Sequence, residues 1–82
     1  MISSITTANE KIIALVKPEY MERIPRLVRG HATKATCKLI AREFPEAYAE
    51  AEKEGDLTPE AKETLTLIVN DIFKERMAKH NL

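Results

Sequence analysis

The apolar residues of this chain recur every three or four positions, which is the spacing of helices that bury one face against a core. The pattern is clearest in the C-terminal third. There Thr58 is a good N-cap and Pro59 suits the first helical position. The apolar stripe that follows consists of Ala61, Leu65, Ile68, Val69, Ile72, Phe73 and Met77. We therefore predict that the longest helix lies at the C-terminus.

A first helix is predicted near the N-terminus. Thr7 and Glu10 have the Thr-x-x-Glu spacing of a capping box, whose side chains satisfy backbone N–H groups at the start of a helix. The box predicts about ten helical residues starting at Ala8. Pro18 ends this helix, because proline disfavours the helical conformation of the residue before it, and it opens a second segment over residues 18–24.

Proline and glycine also divide the middle of the chain. Pro25 indicates a single helical turn over residues 25–29, which Gly30 stops. Residues 31–44 contain no helix breaker and carry apolar residues at near-helical spacing, so they predict a further helix.

Pro45 opens a segment rich in alanine and glutamate. Both residue types favour helices over strands, so residues 46–54 predict a helix, and Gly55 is placed to terminate it as the C′ residue. Taken together, the pattern predicts an all-α fold: a small irregular bundle of about five helices that forms a single domain over residues 1–82.

Size and cysteine content narrow the class of protein. A domain of 82 residues builds one modest core, so self-association into a homo-oligomer would be a common way to add stability. The single cysteine, Cys37, excludes an intramolecular disulfide and favours a reducing compartment. The N-terminal residues do not have the pattern of a secretory signal, and the longest apolar run is far below the ~20 residues of a membrane-spanning helix. We expect a cytoplasmic protein without a membrane-spanning segment.

The charges cancel overall but are unevenly distributed. Residues 17–42 hold seven basic and two acidic residues, a net charge of +5, whereas residues 43–63 hold two basic and eight acidic residues, a net charge of −6. The chain is therefore predicted to be electrically polarised along its sequence.

Catalytic and metal-binding patterns are lacking. The two histidines, His31 and His80, are far apart, and Cys37 lies in no nucleophile motif. No paired Cys or His spacing, calcium loop or glycine-rich phosphate loop occurs. We expect a non-enzymatic protein that uses no metal and no cofactor.

A macromolecular partner is the remaining interpretation. Lys34, Lys38 and Arg42 are spaced to lie along one helical face, with further arginines upstream. We predict that basic residues steer the partner: Arg23, Arg26, Arg29, Lys34, Lys38 and Arg42. Apolar anchors are predicted in the segment that Pro25 interrupts: Tyr20, Ile24, Leu27 and Val28. A solvated basic face is the alternative without function, and a small nucleic-acid-binding regulator is the functional alternative.

Over its whole length the sequence resembles the T-even bacteriophage lysis-inhibition accessory proteins of the rapid-lysis III type. The resemblance includes the start MISSITT, the segment RLVRGH at 26–31 and KERM at 74–77. It rests on length and overall sequence, since the family has no short diagnostic motif. It implies a non-enzymatic protein of the host cytoplasm that binds the cytosolic N-terminal segment of the phage holin. Together with the periplasmic antiholin, such a protein would delay pore formation and lysis.

Overall fold

A computed structural model describes residues 4–80 of the chain and the side chains of residues 8–80. The described residues form five α-helices, of which the last is the longest at 22 residues. The helices are α1 (Ser4–Ile13), α2 (Pro18–Arg23), α3 (Arg26–Glu43), α4 (Pro45–Glu52) and α5 (Pro59–His80). The predicted all-α bundle with its longest helix at the C-terminus is confirmed.

The start of α5 follows the predicted cap. The backbone N–H of Ala61 donates to Oγ1 of Thr58 at 3.1 Å, and Pro59 occupies the first helical position. The apolar stripe of α5 enters the core, where Leu65 and Val69 are fully buried. Local capping and apolar periodicity therefore agree along this helix.

The predicted capping box at Thr7 is wrong. A capping residue must be non-helical, but the backbone of Thr7 is already inside α1, which begins at Ser4. At its other end α1 tightens: the N–H groups of Leu15 and Val16 donate to carbonyls three residues back, at 3.0 and 3.1 Å. This turn leads into Pro18, which starts α2 as predicted.

The predicted stop at Gly30 is also wrong, because α3 runs through it from Arg26. Glycine in a helix interior costs only about 1 kcal/mol relative to alanine, which the packing of an 18-residue helix outweighs. Pro25 is the N-cap of α3 instead of part of a separate turn. Residues expected on two elements thus share one helix.

The end of α4 is capped differently from the prediction. The helix ends at Glu52, and Gly55 lies in the following loop with a φ of 83°, so it is not the C′ residue. Instead, Nζ of Lys11 in α1 donates to the carbonyls of Ala51, at 3.2 Å, and Lys53, at 2.6 Å. A cation at the C-terminal end of a helix also suits the helix dipole.

One core joins α1, α3, α4 and α5. Its central side chains include Ile12, Ile40, Leu65 and Val69, all with no solvent exposure. The hydroxyl of Tyr48 donates to Oδ1 of Asn9 at 2.7 Å, so α1 and α4 are joined by a hydrogen bond as well as by apolar packing.

Asn70 is a buried polar residue in the apolar face of α5. Its Oδ1 accepts from the backbone N–H of Lys17 at 2.8 Å, and its Nδ2 donates to the carbonyls of Leu15, at 2.9 Å, and Thr66, at 2.8 Å. The side chain therefore satisfies the Lys17 N–H and the Leu15 carbonyl, two backbone groups in the turn between α1 and α2 that lack a partner within a helix.

Candidate partner-binding site

The junction between α2 and α3 is set by Pro25. Ile24, which precedes it, is extended, with φ −87° and ψ 124°, as expected before proline. Its side chain packs into the core and is buried, so among the predicted apolar anchors Ile24 is not an exposed one. Tyr20 is half-buried, packs against the core, and lies with its ring centroid 5.4 Å from Nζ of Lys17.

Leu27 and Val28, in the first turn of α3, are the exposed apolar residues of this region. Leu27 is 99% exposed and Val28 is 50% exposed. Of the four apolar residues predicted as anchors, these two are classed as exposed. They are the predicted anchors that remain accessible to a partner.

A partly enclosed pocket of about 330 Å³ lies beside Val28, between the first half of α3 and the end of α5. Phe73 and Met77 are buried apolar residues at its wall, whereas His31, Arg76 and His80 carry polar groups around it. Its other lining residues are Ile24, Ala32, Ala35 and Thr36. An apolar pocket with cationic or titratable groups around it fits an apolar side chain flanked by acidic residues.

The α5 part of this pocket was not predicted as a site. The sequence placed Phe73 and Met77 in the core stripe, and both are buried. Both also line the pocket, which lies where the first half of α3, continuous through Gly30, faces the end of α5. The helical spacing of Phe73, Met77 and His80 was the available signal.

Arg29 is the basic residue whose predicted role changes. Its Nη2 donates to the carbonyl of Ile24 at 3.0 Å, which fastens the α2–α3 junction, and its Nε is buried without a hydrogen-bond partner among the described residues. Arg29 is nine residues from Lys38, so at 100° per residue the two lie about 180° apart on α3. Arg29 therefore does not belong to the exposed basic stripe.

The basic stripe on α3 consists of Lys34, Lys38 and Arg42, which are all exposed and fall within about 80° of one another around the helix. Nε of Arg42 pairs with Oε2 of Glu43 at 3.2 Å, a surface contact of little energetic weight. Neither lysine pairs with a carboxylate in the described part of the chain. Arg23 and Arg26 are also exposed, near Leu27.

Cys37 is buried in the core, and its burial raises the pKa of the thiol to about 11. The thiol is therefore protonated near neutral pH and is a weak nucleophile. His31 is exposed, so the two side chains do not form a pair that could activate the thiol. Among the described residues, no group of three or more His, Cys, Asp or Glu side chains is arranged to hold a metal ion.

Comparisons with models of protein families, with curated proteins and with solved structures found no match. Within residues 4–80, none of the helices combines the length and the apolar character needed to cross a membrane.

Proposed function

We propose that this chain is a non-enzymatic regulator of phage-induced lysis that binds the cytosolic N-terminal segment of the holin. By binding this segment in the host cytoplasm, it would delay pore formation together with the periplasmic antiholin. The resemblance to the lysis-inhibition accessory proteins supports the identity of the partner. The structural observation that carries the binding role is the exposure of two consecutive apolar residues, Leu27 at 99% and Val28 at 50%, of which Val28 borders an apolar pocket.

The proposed site receives an amphipathic segment. An apolar side chain of the partner fills the pocket bordered by Val28 and Met77, and Leu27 packs along the partner's apolar face. Lys34 and Lys38 attract acidic residues of the partner and raise the rate of association, as do Arg23 and Arg26. The apolar contacts supply most of the affinity, since exposed ion pairs contribute little.

Binding delays lysis in this proposal by shifting a conformational equilibrium of the holin. The chain must bind the form that does not open pores more tightly than the form that does. Each tenfold preference corresponds to about 1.4 kcal/mol, so a modest difference in affinity changes the population of pore-competent holin substantially.

The test is a calorimetric titration of the full chain with the holin's cytosolic N-terminal segment in moderate salt. We expect saturable binding, and we expect Leu27→Ser to weaken it at least about tenfold, since a buried leucine contributes about 1.5–3 kcal/mol. Leu67→Ser is the matched control, because Leu67 is an exposed leucine of α5, 68% accessible, that lies outside the proposed site at the start of α3. Absence of binding at high micromolar concentration, or equal losses in both variants, would contradict the proposal.

The steering role has its own test. Reversing the charge of both stripe lysines, Lys34→Glu and Lys38→Glu, should lower the association rate and weaken binding. Unchanged affinity would remove the steering part and leave the apolar site.

A nucleic-acid-binding regulator is the second candidate, because Lys34 and Lys38 are exposed and pair with no carboxylate of the described residues. Such a protein would neutralise phosphates with the same stripe. Titration with duplex and single-stranded oligonucleotides separates the two proposals. Binding to oligonucleotides without binding to the holin segment would favour this second function.

A further inference from the structure

The pocket between the first half of α3 and the end of α5 is bordered by small side chains on α3 and by large ones on α5. Ala32 and Ala35 carry only a methyl group, whereas Phe73 and Met77 are large and buried. The volume of about 330 Å³ lies at the lower end of the range of small-molecule sites, about 300–1,000 Å³. It holds about ten non-hydrogen atoms, if each takes the roughly 30 Å³ that one molecule occupies in liquid water.

Each helix borders the pocket with one continuous face. Both faces use the spacing i, i+3, i+4, i+7, with Val28, His31, Ala32 and Ala35 on α3 and Phe73, Arg76, Met77 and His80 on α5. Residues at this spacing lie on the same side of a helix, and each face extends about 10 Å along its axis at 1.5 Å per residue. The pocket is therefore formed by two regular helices and does not depend on a loop.

The charges around the pocket are of one sign. None of its lining residues is acidic, whereas His31, Arg76 and His80 are basic. Arg76 is half-buried, and no carboxylate of the described residues lies within 4.0 Å of its guanidinium group. Because a guanidinium group donates two parallel hydrogen bonds to a carboxylate, Arg76 favours a ligand that carries this group.

We propose that the pocket binds a small anionic amphiphile, a straight-chain carboxylate of about eight carbons, which has the about ten non-hydrogen atoms that the volume holds. The alkyl chain packs against Phe73 and Met77, and the carboxylate pairs with Arg76. This binding involves the chain alone. The proposed holin site uses the same pocket, so a bound carboxylate would compete with the holin segment, and only this consequence rests on the proposed function.

The experiment is an NMR titration of the full chain with octanoate at pH 7, without the holin segment. We expect saturable shifts of amide resonances in residues 28–36 and 73–80, with a dissociation constant on the order of 100 µM. Octylamine, which is cationic at this pH and has the same chain length, should bind at least about tenfold more weakly because its charge repels Arg76.

The length of the chain tests the size of the pocket. From hexanoate to octanoate the affinity should rise about fourfold for each added methylene group that is buried. Beyond decanoate the gain should level off, because the pocket is then full. A gain that continued unchanged through dodecanoate would contradict a pocket of this size.

Two pairs of variants separate the head group from the chain. Arg76→Gln should weaken octanoate at least about fivefold and leave the uncharged 1-octanol within about twofold. Lys74→Gln, an exposed cation of α5 outside the pocket, is its control. Ala35→Leu fills the pocket and should weaken both ligands at least about tenfold. Its control is Ala78→Leu, at an exposed position of α5 outside the pocket.

The ligand site and the holin site fail separately. Leu27→Ser should weaken the holin segment but leave octanoate within about twofold of wild type, because Leu27 does not line the pocket. Circular dichroism of each variant verifies that it is folded. Absence of shifts in the wild type at millimolar octanoate, or equal losses in Arg76→Gln and Lys74→Gln, would overturn the ligand site whatever the holin titration shows.

Discussion

The regions around Asn70 and Leu27 differ in burial: a polar side chain is buried in one, and an apolar side chain is exposed in the other. Around Asn70 a polar side chain is buried, 8% exposed, and its amide makes three hydrogen bonds, two of which connect α5 to the turn after α1. At the start of α3 an apolar side chain, Leu27, is almost completely exposed. The hydrogen bonds of buried Asn70 stabilise the fold, whereas a leucine that is almost completely exposed contributes little to the stability of the chain. Stability and binding should therefore respond to different substitutions.

The largest expected effect is at Asn70. Asn70→Ala removes the partners of the Lys17 N–H and the Leu15 carbonyl and leaves both with reduced access to water. Since an unsatisfied buried group costs about 1–3 kcal/mol, we expect the free energy of unfolding to fall by about 3 kcal/mol in urea denaturation. Thr66→Ala is the control, because its hydroxyl bonds only to the exposed carbonyl of Lys62. If Thr66→Ala lost as much stability, the hydrogen bonds of Asn70 to the turn would not explain the loss in Asn70→Ala.

The reactivity of the Cys37 thiol tests how well the core is protected from solvent. Its pKa of about 11, against an ordinary 9.0, predicts about 100-fold less thiolate near pH 8 and correspondingly slow modification by a thiol reagent. The folded state disfavours the thiolate, so this contribution to stability is complete below pH 9 and is lost as the pH rises towards 11. Cys37→Ala should flatten the pH dependence. Part of the pH dependence should remain in this variant, because burial and then the charge of Glu52 still raise the pKa of Tyr48 when the Cys37 thiolate is gone. Rapid modification of the folded wild type would contradict the prediction.

A smaller effect is expected at Lys11. Lys11→Met keeps most of the apolar length of the side chain but removes the cation that caps α4, so the free energy of unfolding should fall by about 1 kcal/mol. Lys53→Met, which removes only a surface ion pair with Glu50, should change it by less than about 0.5 kcal/mol. Thermal unfolding of both variants provides the comparison, and equal shifts would argue against the cap.

The smallest effect belongs to the start of α3 and has the opposite sign. A Cβ at Gly30 would contact nothing within 4 Å, so Gly30→Ala should stabilise the chain by about 0.8 kcal/mol. Gly55→Ala should destabilise it, because Gly55 has a positive φ that alanine adopts poorly. Denaturant midpoints of the two variants should move in opposite directions. A loss of stability at Gly30 would indicate that the helix is interrupted there.

Local signals predicted the fold where they agreed with packing. The cap at Thr58, the proline after it and the apolar spacing through Met77 all indicated the same helix, and α5 has it. At Gly30 a weak local preference was overruled by the packing of α3. At Thr7 the spacing of a capping box was misleading, because the helix starts earlier, at Ser4.

The candidate site was predictable only in part. The exposed residues Leu27, Val28, Lys34 and Lys38 followed from the break at Pro25 and from helical spacing. The structural role of Arg29 did not, because the Ile24 carbonyl that it binds becomes available only when the extended residue before Pro25 is in place. Nor could sequence spacing show that the end of α5 closes the pocket, since that contact depends on how two distant helices pack.

The hydrogen bond from the Lys17 N–H to Asn70 makes the hydrogen exchange of this amide a measure of how α5 packs on the turn after α1. The Lys17 amide lies in a short turn, where backbone protons normally exchange with solvent quickly, yet it is held by a side chain 53 residues further along. Its exchange rate in deuterated water therefore measures how often α5 separates from the turn after α1. A single resonance would follow the opening of this contact without any introduced label.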